Sequence, residues 1–119
     1  MKKELRMKVY YKFGGHCSYC GKPIDYVDMH VDHYIPRRTN IRNRSILDEF
    51  ENLMPSCRSC NHYKRAWKPE DFRRVMKGLS EKIKKTYLAR VAIDYGLLQF
   101  KPFDGVFYFE KHNKLSGLK

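Results

Sequence analysis

Two cysteine pairs with the same spacing constrain this chain more than any other feature of its sequence. Cys17 and Cys20 form the first pair, Cys57 and Cys60 form the second, and together they are all four cysteines of the chain. Two thiolates separated by two residues bind one side of a metal ion, and two such pairs complete a tetrahedral site. Gly21 follows the first pair, as the backbone reversal of a metal-binding knuckle requires. The spacing predicts a closed, structural zinc site rather than a redox pair, which needs no second C-x-x-C.

The length and composition of the chain favour a single domain over residues 1–119. A chain of 119 residues is close to the usual domain size, and a second core would have too few residues to bury. Hydrophobic residues make up 42% of the chain, which supports a modest core that a metal site would stabilise. No apolar run approaches the ~18 residues of a membrane span, and the first residues lack the apolar stretch of a signal peptide. We therefore expect a cytoplasmic protein with no membrane contact.

The charge of the chain is strongly positive. Lysine and arginine total 25 against 13 acidic residues, giving a formal net charge of +12. This balance favours a polyanionic ligand such as nucleic acid over a basic surface that serves only solubility. The residues expected to contact phosphate, with a solvated charge run as the alternative, are Arg37, Arg38, Lys64 and Arg65.

Periodicity and turn residues predict a series of short elements. A helix is expected over residues 2–12, and one strand or the two arms of a short hairpin over residues 26–35. Residues 36–51 have no steady period and are expected to form a basic loop with one helical turn at 46–50. Helices are then expected at 60–67, from Pro69 to Gly78 and from Ser80 to Gly96, followed by a β-hairpin over residues 97–111.

Several short motifs lie between and after the cysteine pairs in a fixed order. They are Val31-Asp32-His33-Tyr34-Ile35-Pro36, then Asn52-Leu53, then Cys57-x-x-Cys60-Asn61-x-x-Lys64. Over residues 13–68 this order resembles the HNH, or ββα-metal (His-Me finger), endonucleases of the phage and mobile-element type. The match is to the variant with an Asp-His pair and an asparagine after the last cysteine.

This resemblance implies an α+β fold and a site. The ββα-metal core would occupy residues 13–68, and an extension of basic helices and a C-terminal β-hairpin would occupy residues 69–112. By position, His33 would be the general base and Asn52 would fix the loop and the base. Asp32 and Asn61 would bind the catalytic metal, with His62 as the alternative to Asn61.

The residue types agree with hydrolysis of a phosphodiester bond. Carboxylate and amide oxygens are hard ligands that suit Mg²⁺ or Mn²⁺ and leave positions open for water and phosphate. A histidine with an ordinary pKa of ~6.5 is neutral, and able to accept a proton, at physiological pH. The resemblance implies cleavage of double-stranded DNA to 5′-phosphate and 3′-hydroxyl ends.

Two other functions remain open at this point. A non-catalytic, zinc-stabilised DNA-binding module would explain the charge and the cysteines but not the Asp32-His33 pair. A phage-encoded inhibitor that keeps a nuclease-like fold would act in the host cytoplasm by occupying a partner. The sequence does not show whether one strand or both strands are cut, or whether the protein is a monomer or a homodimer.

Overall fold

A computed structural model of the chain describes residues 1–116. It is a mixed helix and strand structure with one small sheet. In the described part of the chain the strands and helices are α1 (Lys3–Tyr11), β1 (His30–His33), β2 (Leu53–Ser56), α2 (Arg58–Lys64), α3 (Pro69–Lys77), α4 (Leu79–Lys84), α5 (Tyr87–Asp94) and α6 (Tyr108–Ser116).

The described residues divide into two compact units. Residues 1–69 and 107–116 belong to the first unit, and residues 70–106 form the second. The first unit contains both strands, both cysteine pairs and α2, and the second contains most of α3 together with α4 and α5. The single domain over residues 1–119, with its core at 13–68 and its extension at 69–112, stays a prediction.

The sheet consists of β1 and β2, which pair antiparallel. In its register His33 lies opposite Leu53, and Asp32 lies opposite Met54. All of β2 is buried, whereas Asp32 alone is buried in β1, so β2 is the interior strand of the pair. Helix α2 begins directly after β2 and contacts β1. The predicted strand–strand–helix core is therefore confirmed.

Helix α1 is tied to the segment that leads into β2 through one lysine. The Lys12 ammonium, just after the end of α1, donates hydrogen bonds to the carbonyls of Phe50 and Leu53, both at 2.9 Å. Burial lowers the pKa of Lys12, opposed by the nearby carboxylate of Glu51. A half-buried cation with several carbonyl partners orders this segment because the alternative is an unsatisfied charge away from water.

The prediction of a β-hairpin over residues 97–111 is wrong: residues 97–107 form neither helix nor strand, and α6 begins at Tyr108. The Phe107 N–H donates to the Glu110 carboxylate at 2.9 Å, which closes the first turn of a helix as in a capping box. Phe107 and Phe109 alternate like strand residues because both rings pack against the Tyr19 ring, with centroids 5.3 and 6.3 Å away. Their period of two reflects this packing and not an extended backbone.

Three other elements are shorter than predicted. The strand predicted at 26–35 is reduced to His30–His33, because Tyr26–Asp28 forms a 3₁₀ turn. The helix predicted from Ser80 to Gly96 is broken into α4 and α5, because Thr86 caps α5 by accepting a hydrogen bond from Ala89 N–H. The helix predicted at 60–67 begins earlier, at Arg58, and ends at Lys64.

Within the residues described, no helix is both long and apolar enough to cross a membrane.

Candidate active site

The four cysteine sulfurs converge on one point of the first unit. Their Sγ atoms all lie within 4.8 Å of one another, and those of Cys20 and Cys57 are 3.9 Å apart. A tetrahedral ion with sulfur ligands at ~2.3 Å has neighbouring sulfurs ~3.8 Å apart. The cluster therefore has the size of a four-sulfur metal site, as the spacing predicts.

Local backbone geometry places each pair of thiols. In the first pair the Gly21 N–H donates to the Cys17 carbonyl at 3.0 Å, and Gly21 has a φ of 83° that only glycine adopts readily. A Cβ on Gly21 would also lie 2.6 Å from the Tyr108 ring. In the second pair the Cys57 sulfur caps α2 by accepting a hydrogen bond from the Cys60 N–H.

The protein alone does not stabilise four thiolates at once. Hydrogen bonds from neighbouring thiols lower the pKa of Cys17. The hydrogen bond to Cys17 raises the pKa of Cys20 to about 11, and a hydrogen bond to Cys17 also raises the pKa of Cys60. Metal binding to such a cluster releases thiol protons, because thiolates are the ligands.

A buried ion pair lies between β1 and α2. The ammonium of Lys64, whose side chain is 0% exposed, is 3.1 Å from Oδ2 of Asp32 and donates to the His33 carbonyl at 3.1 Å. The Tyr19 hydroxyl donates to the same Oδ2 at 2.5 Å. Burial raises the pKa of Asp32, and the charge of Lys64 opposes that rise. The pair joins α2 to the end of β1.

The ion pair bears on two predicted site residues, Lys64 and Asp32. Lys64, expected to contact phosphate at the surface, is inside the protein and neutralises Asp32. Oδ1 of Asp32 makes no hydrogen bond to the described residues. Ser18 Oγ is a fully buried atom without a hydrogen-bond partner in the described part of the chain, and Oδ1 of Asp32 is not in that class.

The His33 side chain contacts an acid that the sequence did not single out. Its Nε2 is 2.9 Å from Oδ1 of Asp48, which also lies 3.6 Å from Nε of Arg37. The hydrogen bond to His33 lowers the pKa of the Asp48 carboxyl, so Asp48 is an anion that accepts the Nε2 proton. Nδ1 of His33 makes no hydrogen bond to the described residues.

Asn52 holds both ends of the segment between His33 and Asp48. Its side-chain oxygen accepts from the Ile35 N–H at 2.8 Å, and its amide donates to the carbonyls of Ile35 at 3.1 Å and Leu47 at 2.8 Å. Ile35 is two residues after His33, and Leu47 directly precedes Asp48. One amide thus fixes the backbone beside both members of the histidine–aspartate pair.

Asn61 and His62 occupy different positions on α2. Asn61 lies one turn before Lys64, on the same side of the helix, and its side chain makes no hydrogen bond to the described residues. His62 is exposed and lines a surface pocket with Tyr63. Arg38 and Arg65 are also exposed.

The signal for Asp48 was present but weak. It stands four residues before Asn52, at the end of a 3₁₀ turn over Arg44–Asp48 inside an otherwise irregular loop. Periodicity does not assign a direction to a side chain in such a loop. Glu49 and Glu51 lie nearer to Asn52 in the sequence, so proximity to that asparagine does not single out Asp48.

The substitution Lys64→Met tests the buried pair. Removal of the ammonium leaves Asp32 buried without its counter-ion, so we expect a loss of about 3–5 kcal/mol in the free energy of unfolding. Urea unfolding of the metal-loaded chain measures this loss. Lys68→Met, at an exposed position on the same unit, is the matched control and should change stability little; equal losses in the two variants would contradict the account.

The comparison with known families gives one match. Residues 17–66 match the family model described as HNH endonuclease. A comparison with curated proteins finds no match. The matched range begins at the first cysteine, contains both strands and ends just after α2, so it includes the cysteine cluster, the histidine–aspartate pair and the asparagine that fixes them. The chain therefore carries an HNH endonuclease domain at residues 17–66.

Proposed function

We propose that this chain is a metal-dependent DNA endonuclease or nickase that hydrolyses phosphodiester bonds to 5′-phosphate and 3′-hydroxyl ends. The observation that carries the proposal is the His33–Asp48 pair, with Asn52 holding the backbone on both sides of it. A structural histidine needs neither an anionic partner nor a fixed loop. Both features suit a base that must present one nitrogen to a water molecule.

Two kinds of metal ion serve different purposes in this proposal. Zinc at Cys17, Cys20, Cys57 and Cys60 is structural, because four sulfurs leave no position open for water. Mg²⁺ or Mn²⁺ is the catalytic ion, with Oδ1 of Asp32 and the Asn61 side-chain oxygen as its protein ligands. When bound, that ion supplies the positive charge that the phosphate oxygens and the leaving 3′-oxygen require.

The protein residues then have distinct roles in the proton transfer. His33 accepts the proton of the attacking water on Nδ1 and becomes an imidazolium. Asp48 holds the Nε2–H, selects the correct tautomer and stabilises the imidazolium through its negative charge. Asn52 positions both residues through the backbone and does not itself exchange a proton.

Asn61 is a better proposed ligand than His62 because of its place on α2. It lies on the helix side that carries Lys64, and Lys64 reaches both Asp32 and the His33 carbonyl. His62 is exposed beside Tyr63 in a separate pocket. Lys64 is proposed to hold Asp32 and the end of β1 in place from inside the protein.

Double-stranded DNA is the proposed partner. The net charge of +12 favours a polyanion, and Arg37, Arg38 and Arg65 are proposed to contact phosphates around the site. Neutralising several phosphates makes such binding steeply dependent on salt. A single reaction centre on a monomer cuts one strand per encounter, and a homodimer would allow cleavage of both.

A non-catalytic DNA-binding module is the second candidate, and one observation favours it. Oδ2 of Asp32 is already paired with the Lys64 ammonium and accepts a hydrogen bond from the Tyr19 hydroxyl. A carboxylate engaged in this way also serves as a purely structural link between β1 and α2. Cleavage by the wild-type chain decides between the two candidates.

Substitution of the proposed base is the first test. His33→Ala should lower the rate of plasmid nicking in Mg²⁺ or Mn²⁺ by about 10²–10⁴-fold, because no other group takes the proton of water. Agarose gels follow the conversion of supercoiled plasmid to nicked and linear forms. His30→Ala, at an exposed position of the same strand, is the control, and equal nicking by His33→Ala and wild type would refute the assignment.

Substitution of Asp48 tests the tautomer. The amide of Asp48→Asn donates to Nε2 and so places the proton on Nδ1, which removes the lone pair from the reacting nitrogen. We expect nicking to fall by about 10²–10⁴-fold while DNA binding is retained. Glu49→Gln, the exposed neighbouring acid, should leave the rate within about 2-fold. Unchanged nicking by Asp48→Asn would remove Asp48 from the proposed mechanism.

A further inference from the structure

A pocket lies beside the C-terminal end of α2 and is separate from the proposed reaction centre. It has a volume of about 390 Å³ and is lined by His62, Tyr63, Arg65 and Trp67. This volume falls within the ~300–1,000 Å³ range of small-ligand sites. Its lining combines aromatic rings with a cation and contains no acidic residue, so we call it the Trp67 pocket.

An unusual turn brings Trp67 into this pocket. Helix α2 ends at Lys64, and Arg65 has φ 50° and ψ −125°. The Trp67 N–H donates to the Lys64 carbonyl at 2.9 Å, which closes a four-residue turn. These angles match the first central position of a type II′ turn, where glycine is favoured. Arginine in this conformation is strained, and such strain is found mainly at binding and functional sites.

The two rings of the pocket are available to a ligand. Tyr63 is 44% exposed and Trp67 is 40% exposed. Neither makes a ring contact or a hydrogen bond to the side chains of the described residues. Single exposed aromatics are ordinary, but here two of them line one concavity together with an arginine.

The chemistry of the lining selects the occupant. Aromatic faces stack on nucleobases of any sequence, and an adjacent arginine binds the phosphate that the base carries. A base exposes its π-face only when it is unstacked, since paired bases in a duplex present only their edges in the grooves. Resting on the proposed function, we propose that the Trp67 pocket binds an unpaired nucleobase of the DNA substrate.

The pocket is connected to the proposed site through α2. His62 and Tyr63 directly follow Asn61, and the turn that carries Trp67 is anchored by Lys64, which also holds Asp32. The pocket and the proposed site therefore share one short helix. This directs cleavage towards double-stranded DNA that also carries an unpaired base, such as a gap or a flap.

A fluorescence titration tests the pocket, because Trp67 is the single tryptophan of the chain. The full metal-loaded chain carrying His33→Ala, without added Mg²⁺ or Mn²⁺, is titrated with a single-stranded oligodeoxynucleotide and with its blunt duplex. We expect the single strand to quench Trp67 strongly and the duplex to quench it little. Equal quenching by the two DNAs, or none by either, would overturn the proposal.

Matched variants separate stacking from general DNA binding. Trp67→Leu should weaken single-strand binding by about 10-fold, measured by anisotropy of labelled DNA, and leave duplex binding within about 2-fold. Trp67→Phe should restore most of the affinity, which excludes misfolding as the cause. Tyr95→Leu, an exposed tyrosine of the second unit, should change neither. Equal weakening on both DNAs by Trp67→Leu would contradict stacking.

The plasmid nicking assay keeps this inference distinct from the proposed function. If the wild-type chain nicks the plasmid but the two DNAs quench Trp67 equally, the pocket proposal is overturned and the proposed function is not. Absence of cleavage by the wild-type chain on both the plasmid and a gapped duplex, together with selective quenching of Trp67 by the single strand, supports the pocket and overturns the endonuclease.

Discussion

The convergence of four thiols on one point is the constraint on which the rest of the first unit depends. The two cysteine pairs are far apart in sequence, and the segment between them contains β1, the basic loop and β2. Joining the pairs sets where β1 meets β2 and where α2 begins, because Cys57 also caps that helix. A small core with 42% hydrophobic residues gains from such a link, since metal binding contributes directly to folding.

The side chains on the two sides of β1 make different kinds of contact. On the interior side Asp32 is held by Lys64 and Tyr19, so the strand is fixed to α2 and to the first cysteine knuckle. On the other side His33 meets Asp48 in a loop that has little regular structure of its own. Asn52 replaces that missing structure with side-chain to backbone hydrogen bonds. Adjacent residues of one short strand can therefore serve packing and chemistry separately.

The cysteine spacing predicted the metal-site cluster, the resemblance to the HNH endonucleases implied the strand–strand–helix core, and the structure confirms both. The contact between His33 and Asp48 was not predictable, because it depends on the path of an aperiodic loop. The burial of Lys64 was missed since its charge suggested the surface, and only the position of Asp32 across the interface explains it. The prediction of a C-terminal hairpin was wrong because Phe107 and Phe109 alternate to pack their rings in an aromatic cluster with Tyr19, and not because the backbone is extended.

We propose two metal sites: a closed one that supports the fold and an open one that supports the reaction. Anomalous diffraction from crystals grown with Mn²⁺, recorded at the zinc and manganese edges, tests this separation most directly. We expect zinc among the four cysteines and manganese bound by Asp32 and Asn61 at the end of β1, next to His33. Zinc at the cysteines with no ion beside His33, or manganese bound through His62, would contradict the proposal.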